Sequence, residues 1–286
     1  MPPSSSTVAS WELALRLRQR RDQLGIDVRT ITAALGFSRN YWSAVENERK
    51  VLSEDKLASV LKLLEFDEDE RGELLELRET AKQRGWWGRY SALFIEDTLR
   101  LYGLEHGAQA IRTYESLLIP GLLQTEEYAR ALMTSEITTI RQVEVDQRIE
   151  VRLRRQERIT GEDPLHLTAI VSQAALRQQT GGPQVLRDQL NHLASVVEEY
   201  PDVLDLRIIP FTATGCGAFG ASTFHLIDFA STRLPTLAWQ ETVTAAGIID
   251  EETQVRDLNL TYTEALARTL NAQDSLGLIK QHISEV

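Results

Sequence analysis

Arg39 and Asn40 stand side by side in the stretch GFSRNYWSAVENERK, Gly36 to Lys50, with Tyr41, Ser43, Ala44 and Asn47 after them and Arg49 and Lys50 at its end. These residue types suit one kind of chemistry. An arginine guanidinium pairs bidentately with the acceptor edge of guanine, and an asparagine amide pairs in the same way with adenine. Basic residues just past a helix are placed to neutralise phosphate, which fixes register without reading sequence. A recognition helix presents its first residues to base edges, and Arg39 and Asn40 hold that position if a helix starts behind Ser38.

A second constellation is weaker. Gly215, Gly217 and Gly220 in GCGAFG match a dinucleotide-binding spacing. A helix must follow at once to hold a pyrophosphate at its N-terminus. Here ASTFHLIDF follows, which reads as a strand, so a Gly-rich loop between strands is expected. Cys216 lies in that loop and His225 just beyond it, but no spacing ties the two into a nucleophile and base. The five histidines are scattered without ligand spacing, and neither a metal nor a cofactor is expected.

The elements that must carry the first constellation are short helices. A first runs from about Ser10 to Leu24, stopped by Gly25, after a disordered lead over residues 1–9. Asp27 caps a second through Val28 to Leu35, ended by Gly36. Ser38 caps a third from Arg39 to about Asn47, in which Trp42 and Val45, three apart, face inward with Phe37. A fourth begins at Ser53 and a fifth after Phe66, its early acids complementing the helix dipole. Two helices split by a tight Gly-containing turn are a helix-turn-helix, here inside a five-helix domain over residues 10–84. A plain helical bundle would share the apolar spacing but has no need of Gly36 with Ser38.

Charge supports this placement. The chain of 286 residues carries a net −11, yet Met1 to Lys62 holds ten Lys and Arg against seven Asp and Glu. A small basic face on a large acidic body suggests that one domain meets phosphate while the other stays away from it. No apolar run approaches the roughly 20 residues that cross a bilayer. The N-terminus lacks the basic start and apolar stretch of a signal peptide. A lone cysteine fits a reducing cytoplasm.

Residues Trp11 to Leu77 resemble the repressor-like helix-turn-helix domains of the xenobiotic-response-element type, and LGIDVRTITAALGFSRNYWSAVENER carries the likeness. The resemblance implies that Glu46 pairs with Arg21 and locks the first helix to the third. Such domains usually carry Gln where Val28 stands, Ala where Thr32 stands and Gly where Glu48 stands. With that Gln goes one phosphate contact, for which Arg29 is the candidate replacement.

The remainder, residues 85–286, mixes strands and helices without regular alternation, so a larger α+β domain for sensing and oligomerisation is expected. Expected helices cover Ser91 to Tyr102, the run from Thr125, the charged stretch TTIRQVEVDQRIEVRLRRQERITG from Thr138, QAALRQQ, PQVLRDQLNHLASVVEEY and two C-terminal segments. AIRTYESLLIPG, LHLTAIV, VLDLRIIPF, STFHLIDF and PTLAWQET read as extended. In the charged helix, Arg148, Arg152, Arg154, Arg155 and Arg158 interleave with acids at helical spacing, so a solvated, salt-bridged face is expected. In the PGLLQT turn, Leu117, Leu118, Leu122 and Leu123 are expected to anchor a corner in the core.

YESLLIPGLLQTEEYARAL, RLRRQERI, ALRQQTGGPQVLRDQLNHL and RIIPF resemble a large group of actinobacterial regulators described as antitoxin-like or WhiJ-like, in which a repressor-type domain joins a C-terminal domain of unassigned function. The resemblance implies a transcription regulator, often encoded beside a small acidic partner protein. Ser172 and Gln173 depart from the group, which tends to be acidic there. The expectation is a sequence-specific regulator on double-stranded DNA, binding a two-half-site operator as a homodimer. The alternative is an enzyme or ligand-binding activity in the C-terminal domain, resting on GCGAFG, Cys216 and His225, with the helix-turn-helix only localising it.

Overall fold

The computed structural model of the chain describes residues 1–136, 140–242 and 245–286. It divides into two units, Pro3–Arg89 and Tyr90–Val286, the second including Met1–Pro2.

The first unit is helical: α1 Ser6–Gln23, α2 Val28–Leu35, α3 Arg39–Glu46, α4 Glu54–Leu63 and α5 Glu68–Ala81. Local signals account for most of the boundaries. The Asp27 side chain accepts from the Thr30 amide, the Ser38 hydroxyl from Tyr41, and Asp67 closes a reciprocal box with Glu70. Gly36 ends α2 at φ +66, a left-handed conformation that costs a glycine nothing. The lead is shorter than expected. Helix α1 starts at Ser6 rather than Ser10, because the Ser5 hydroxyl accepts from the Val8 amide at 3.4 Å and caps it early. Leu13 and Leu17 of α1, Ile31 of α2, Trp42 and Val45 of α3, Leu57 and Leu61 of α4 and Leu74 of α5 share one buried core. Trp42 is wholly buried and stacks on Phe37 at 6.2 Å, so the inward face of α3 is fixed.

The second unit is built on one mixed sheet of strands β1 Ala110–Glu115, β2 His166–Ser172, β3 Leu204–Ile209, β4 Phe224–Asp228, β5 Leu237–Glu241 and β6 Ala246–Ile249, ordered β3-β2-β1-β4-β5-β6. Pairs β1–β2 and β2–β3 are parallel, the other three antiparallel. Parallel neighbours need long crossovers; α7 Glu126–Ser135 and α8 Val145–Thr160 link β1 to β2, and α9 Pro183–Glu199 links β2 to β3. The helix α6 Glu96–Gly107 precedes the sheet, and α10 Glu252–Leu266 and α11 Ala272–Glu285 close the chain.

Several expectations change. Helix α6 starts later than Ser91, with Glu96 and Asp97 in its first turn. The QAALRQQ helix shrinks to a single 3-10 turn at Gln173–Leu176, because Pro183 starts a new helix behind Gly181 and Gly182. The edge strand β6 is too short, with uniform intermediate burial, to show alternation in sequence. For α8, Thr138 and Thr139 lie outside the described residues, and the helix itself begins at Val145.

The solvated-face reading of α8 is overturned. Arg148 does pair with Glu144 one turn back. Arg155, however, forks onto both carboxylate oxygens of Glu105 at 2.8 Å each, Arg152 donates to Gln124 Oε1 at 2.6 Å, and Arg158 donates to the Ala108 carbonyl at 2.9 Å. Spacing along a helix counts charges but does not say which side is covered. Burial disfavours the Arg155 charge, and Glu105, by its field and its hydrogen bonds, outweighs that and raises the guanidinium's pKa.

The PGLLQT corner is also anchored differently. Leu122 and Leu123 are buried, but Leu117 is 58% exposed. The corner's backbone is satisfied instead by three glutamines: Gln124 donates to the Ile119 carbonyl, Gln156 to those of Gly121 and Gln124, and Gln189 to that of Leu123. A Cβ at Gly121 would stand 2.7 Å from the Arg152 guanidinium, the far end of a flexible side chain, so a larger residue there would push that guanidinium away from Gln124.

Candidate nucleic-acid interface

Helices α2 and α3 meet through the Gly36 turn, and the outward side of α3 is set by what its inward side buries. Because Trp42 and Val45 point into the core, Arg39, Asn40, Ser43 and Asn47 lie exposed on the opposite side, with Ala44 and Tyr41 half-buried between. Arg29 on α2 and Arg49 and Lys50 past the end of α3 are exposed too. Among the described residues, no hydrogen bond or ion pair holds the side chains of Arg29, Arg39, Asn40 or Arg49, so their donors remain available to a ligand.

The other residues of the set are already partly engaged. The Ser38 oxygen caps α3 at 3.1 Å from the Tyr41 amide. Asn47 turns its amide back onto the Ser43 carbonyl at 2.7 Å and the Ser43 hydroxyl at 3.2 Å, closing the helix rather than projecting from it. Tyr41 is a platform. The Lys50 ammonium lies 4.5 Å from its ring centroid, the Lys56 ammonium 4.8 Å, and Phe37 packs against it at 5.0 Å. Cation–π contact holds both ammonium groups beside the exposed end of α3. Sequence reasoning missed Lys56, since α4 was read only for its core positions. A basic residue in the first turn of the helix after α3 was the available signal.

The pairing of α1 with α3 is direct. Arg21 Nε donates to Glu46 Oε1 at 2.6 Å, with the two side chains 15% and 13% exposed, and Arg21 also pairs with Asp22 at 2.8 Å. Since Asp22 remains and some solvent reaches the pair, removing one partner falls short of the cost of a fully buried charge. Glu46→Ala is expected to destabilise the helical unit by about 1–2 kcal/mol, lowering its midpoint by roughly 5–15 °C. Thermal melts check it, and a variant melting with the parent means that the pair does not hold α1 to α3. Next to it, Glu48 sits at φ +63, a left-handed conformation that costs a non-glycine residue about 1–2 kcal/mol. This accounts for the glycine usual in resembling domains.

The second constellation does not assemble. His225 Nδ1 lies 2.7 Å from the Thr113 hydroxyl, and burial pushes its pKa down to about 4. Cys216 packs with Tyr114, Phe224 and Tyr262. Thr113 and Tyr114 are adjacent on β1 and point to opposite faces of the sheet, so the thiol and the imidazole are separated by it. The loop after Gly215 forms a short 3-10 turn, Gly217–Gly220, and leads into β4, so no helix receives a pyrophosphate. Burial also raises the Glu115 carboxyl to about 7, against one opposing hydrogen bond from Thr223 at 2.7 Å. Among the described residues no three His, Cys, Asp or Glu side chains gather to hold a metal ion, and no helix is long and apolar enough to cross a membrane.

Residues 12–74 match the family model of a helix-turn-helix domain, and residues 98–281 match that of a domain of unknown function, DUF5753. No curated protein and no solved structure matches the chain.

Proposed function

The chain belongs to the DUF5753 family and carries a helix-turn-helix domain ahead of it, and from that premise we propose that it is a sequence-specific DNA-binding transcriptional regulator of the repressor-like type. The observation that carries the reading is the capped, outward-facing N-terminal turn of α3, where Arg39 and Asn40 have no protein partner among the described residues. In this reading Arg39 and Asn40 contact base edges, while Arg29, Arg49 and Lys50 position the phosphate backbone. Ser38, Tyr41, Ser43, Ala44 and Asn47 complete the contact surface, mainly by shaping α3 and supporting the cations beside it.

One recognition helix covers few base pairs. We infer a homodimer joined through the DUF5753 domain, with its two helices set on half-sites about 34–36 Å apart or a multiple of that. The same domain receives the regulatory signal, either a small molecule or a small acidic partner protein of the kind encoded beside resembling regulators.

Recovery of enriched genomic fragments by the purified chain tests the reading, and a library showing no enriched site overturns it. On the recovered site, Arg39→Ala is expected to cost about 1–3 kcal/mol and to relax preference at one base pair. Uniform weakening across all sequences would instead make Arg39 a phosphate contact.

A further inference from the structure

The parallel half of the sheet ends in a cavity of about 410 Å³. Tyr114 lies near the end of β1 and Ser116 just past it, Ser172 ends β2, and Phe211 follows β3, so the cavity sits beyond the carboxyl ends of the parallel strands. Sheets of this kind place ligands at that edge, where the chain leaves the strands in loops. The loop from Gly215 to Gly220 supplies one more wall, Phe219. The volume falls in the range of small-molecule sites.

We propose that this cavity binds an uncharged, ring-bearing small molecule that carries a hydrogen-bonding group at one end. Three observations set that chemistry. Among the described residues no Asp, Glu, Lys, Arg or His lines the cavity, so an ionised ligand would give up hydration without meeting a counter-charge. The hydroxyl side is built and unsatisfied. Tyr114 is 1% exposed as a whole, yet among the described residues its hydroxyl has no protein hydrogen-bond partner and is not sealed off from solvent, so it is free to meet a ligand in the cavity it lines. Ser116 has none either, and the Ser172 hydroxyl accepts from the Ala174 amide at 3.2 Å and keeps its own proton to donate. The opposite rim is apolar: Leu117, Phe211 and Phe219 are 58%, 61% and 53% exposed, and scattered single residues of this kind would need no account, but these border one cavity.

The wall is preformed. Gln173, 9% exposed, accepts from the Phe211 amide at 2.7 Å through Oε1, while its Nε2 lies 3.0 Å from His282 Nε2 on α11. The loop that carries Phe211 is thereby tied to β2 and α11 before any ligand arrives, which lowers the ordering cost of binding.

The test contains no DNA, so its outcome is independent of the regulatory reading. Prodan, an uncharged naphthyl ketone whose emission shifts on leaving water, is titrated into the full chain. The expected result is one saturable site per chain, weakened about tenfold by Tyr114→Phe, which removes a single hydroxyl, and at least as much by Phe211→Ala combined with Phe219→Ala. Both variants alter cavity-facing groups outside the sheet's hydrogen-bond ladder. Anilinonaphthalene sulfonate, of similar size but anionic, is expected to bind more weakly. Absence of saturable prodan binding, equal affinity in both variants, or tighter binding of the sulfonate would overturn the proposal.

Discussion

Replacing Glu105 with alanine is expected to lower the stability of the DUF5753 domain by about 3–5 kcal/mol, the loss seen when one member of a buried ion pair is removed. Glu105 and Arg155 are 5% and 11% exposed at their side chains and meet through two hydrogen bonds of 2.8 Å. Without the carboxylate, the guanidinium keeps the Tyr102 ring, 4.6 Å from it, and the more distant field of Glu241, and must hold its charge in a site that water reaches poorly. For a unit of this size the midpoint should fall by roughly 10 °C. The pair itself is a different matter from its breakage. Two desolvated ions gain little over apolar side chains of similar volume. Glu105→Leu together with Arg155→Met should therefore recover most of the loss. Calorimetry separates the outcomes: a Glu105→Ala variant melting with the parent would mean that solvent reaches Arg155.

Affinity for the recovered DNA site is expected to fall about a thousandfold between roughly 50 and 200 mM salt, because each neutralised phosphate releases condensed counterions. If Arg39 is spent on a base, Arg29, Arg49 and Lys50 leave about three phosphate contacts per copy, and a dimer on two half-sites doubles that. A slope near −0.9 per phosphate then gives about three orders of magnitude for the pair and roughly fortyfold for a single copy. The slope thus reads both the electrostatic character of the interface and the number of copies engaged. Affinity unchanged by salt would remove the phosphate-facing role of Arg29, Arg49 and Lys50. A fortyfold change would mean that one copy binds alone and would remove the dimer. The net charge of −11 does not oppose this, since screening confines exposed charges to about 10 Å at 0.1 M salt.

Features set by a few adjacent residues were legible in the sequence. Asp27, Ser38 and Gly36 announce where α2 and α3 start and stop, because a cap needs only its own helix. Trp42 and Val45, at helical spacing, fixed the rotation of α3. The GCGAFG loop was recognisable as a strand connection from the residues that follow it. Arg155 with Glu105 was not legible, since its partner lies fifty positions away on another helix and the acids nearby in sequence offer a closer, wrong answer. Arg21 with Glu46 came only through resemblance to a known domain. Leu117 misled because four leucines around one corner do not say which of them turns outward. The cavity lay beyond reading for a further reason. Its residues come from the ends of separate strands, and only sheet order brings Tyr114, Ser172 and Phe211 together.

The register of the sheet has a temporal meaning. Ala110 of β1 pairs with His166 of β2, and on its other side with Asp228 of β4. A chain made from its N-terminus can close the helical unit as soon as Arg89 has emerged, because every partner in that core is already present. The first strand has to wait. It stays unpaired, with both edges open, while the residues up to His166 are added, and its second edge stays open until β4 arrives. The nascent chain therefore carries a finished helix-turn-helix domain well before its sheet can close. In that interval the exposed edges of β1 are its most vulnerable part, and α7 and α8, the crossover that must fold before β2 can dock, are the first material available to shield them.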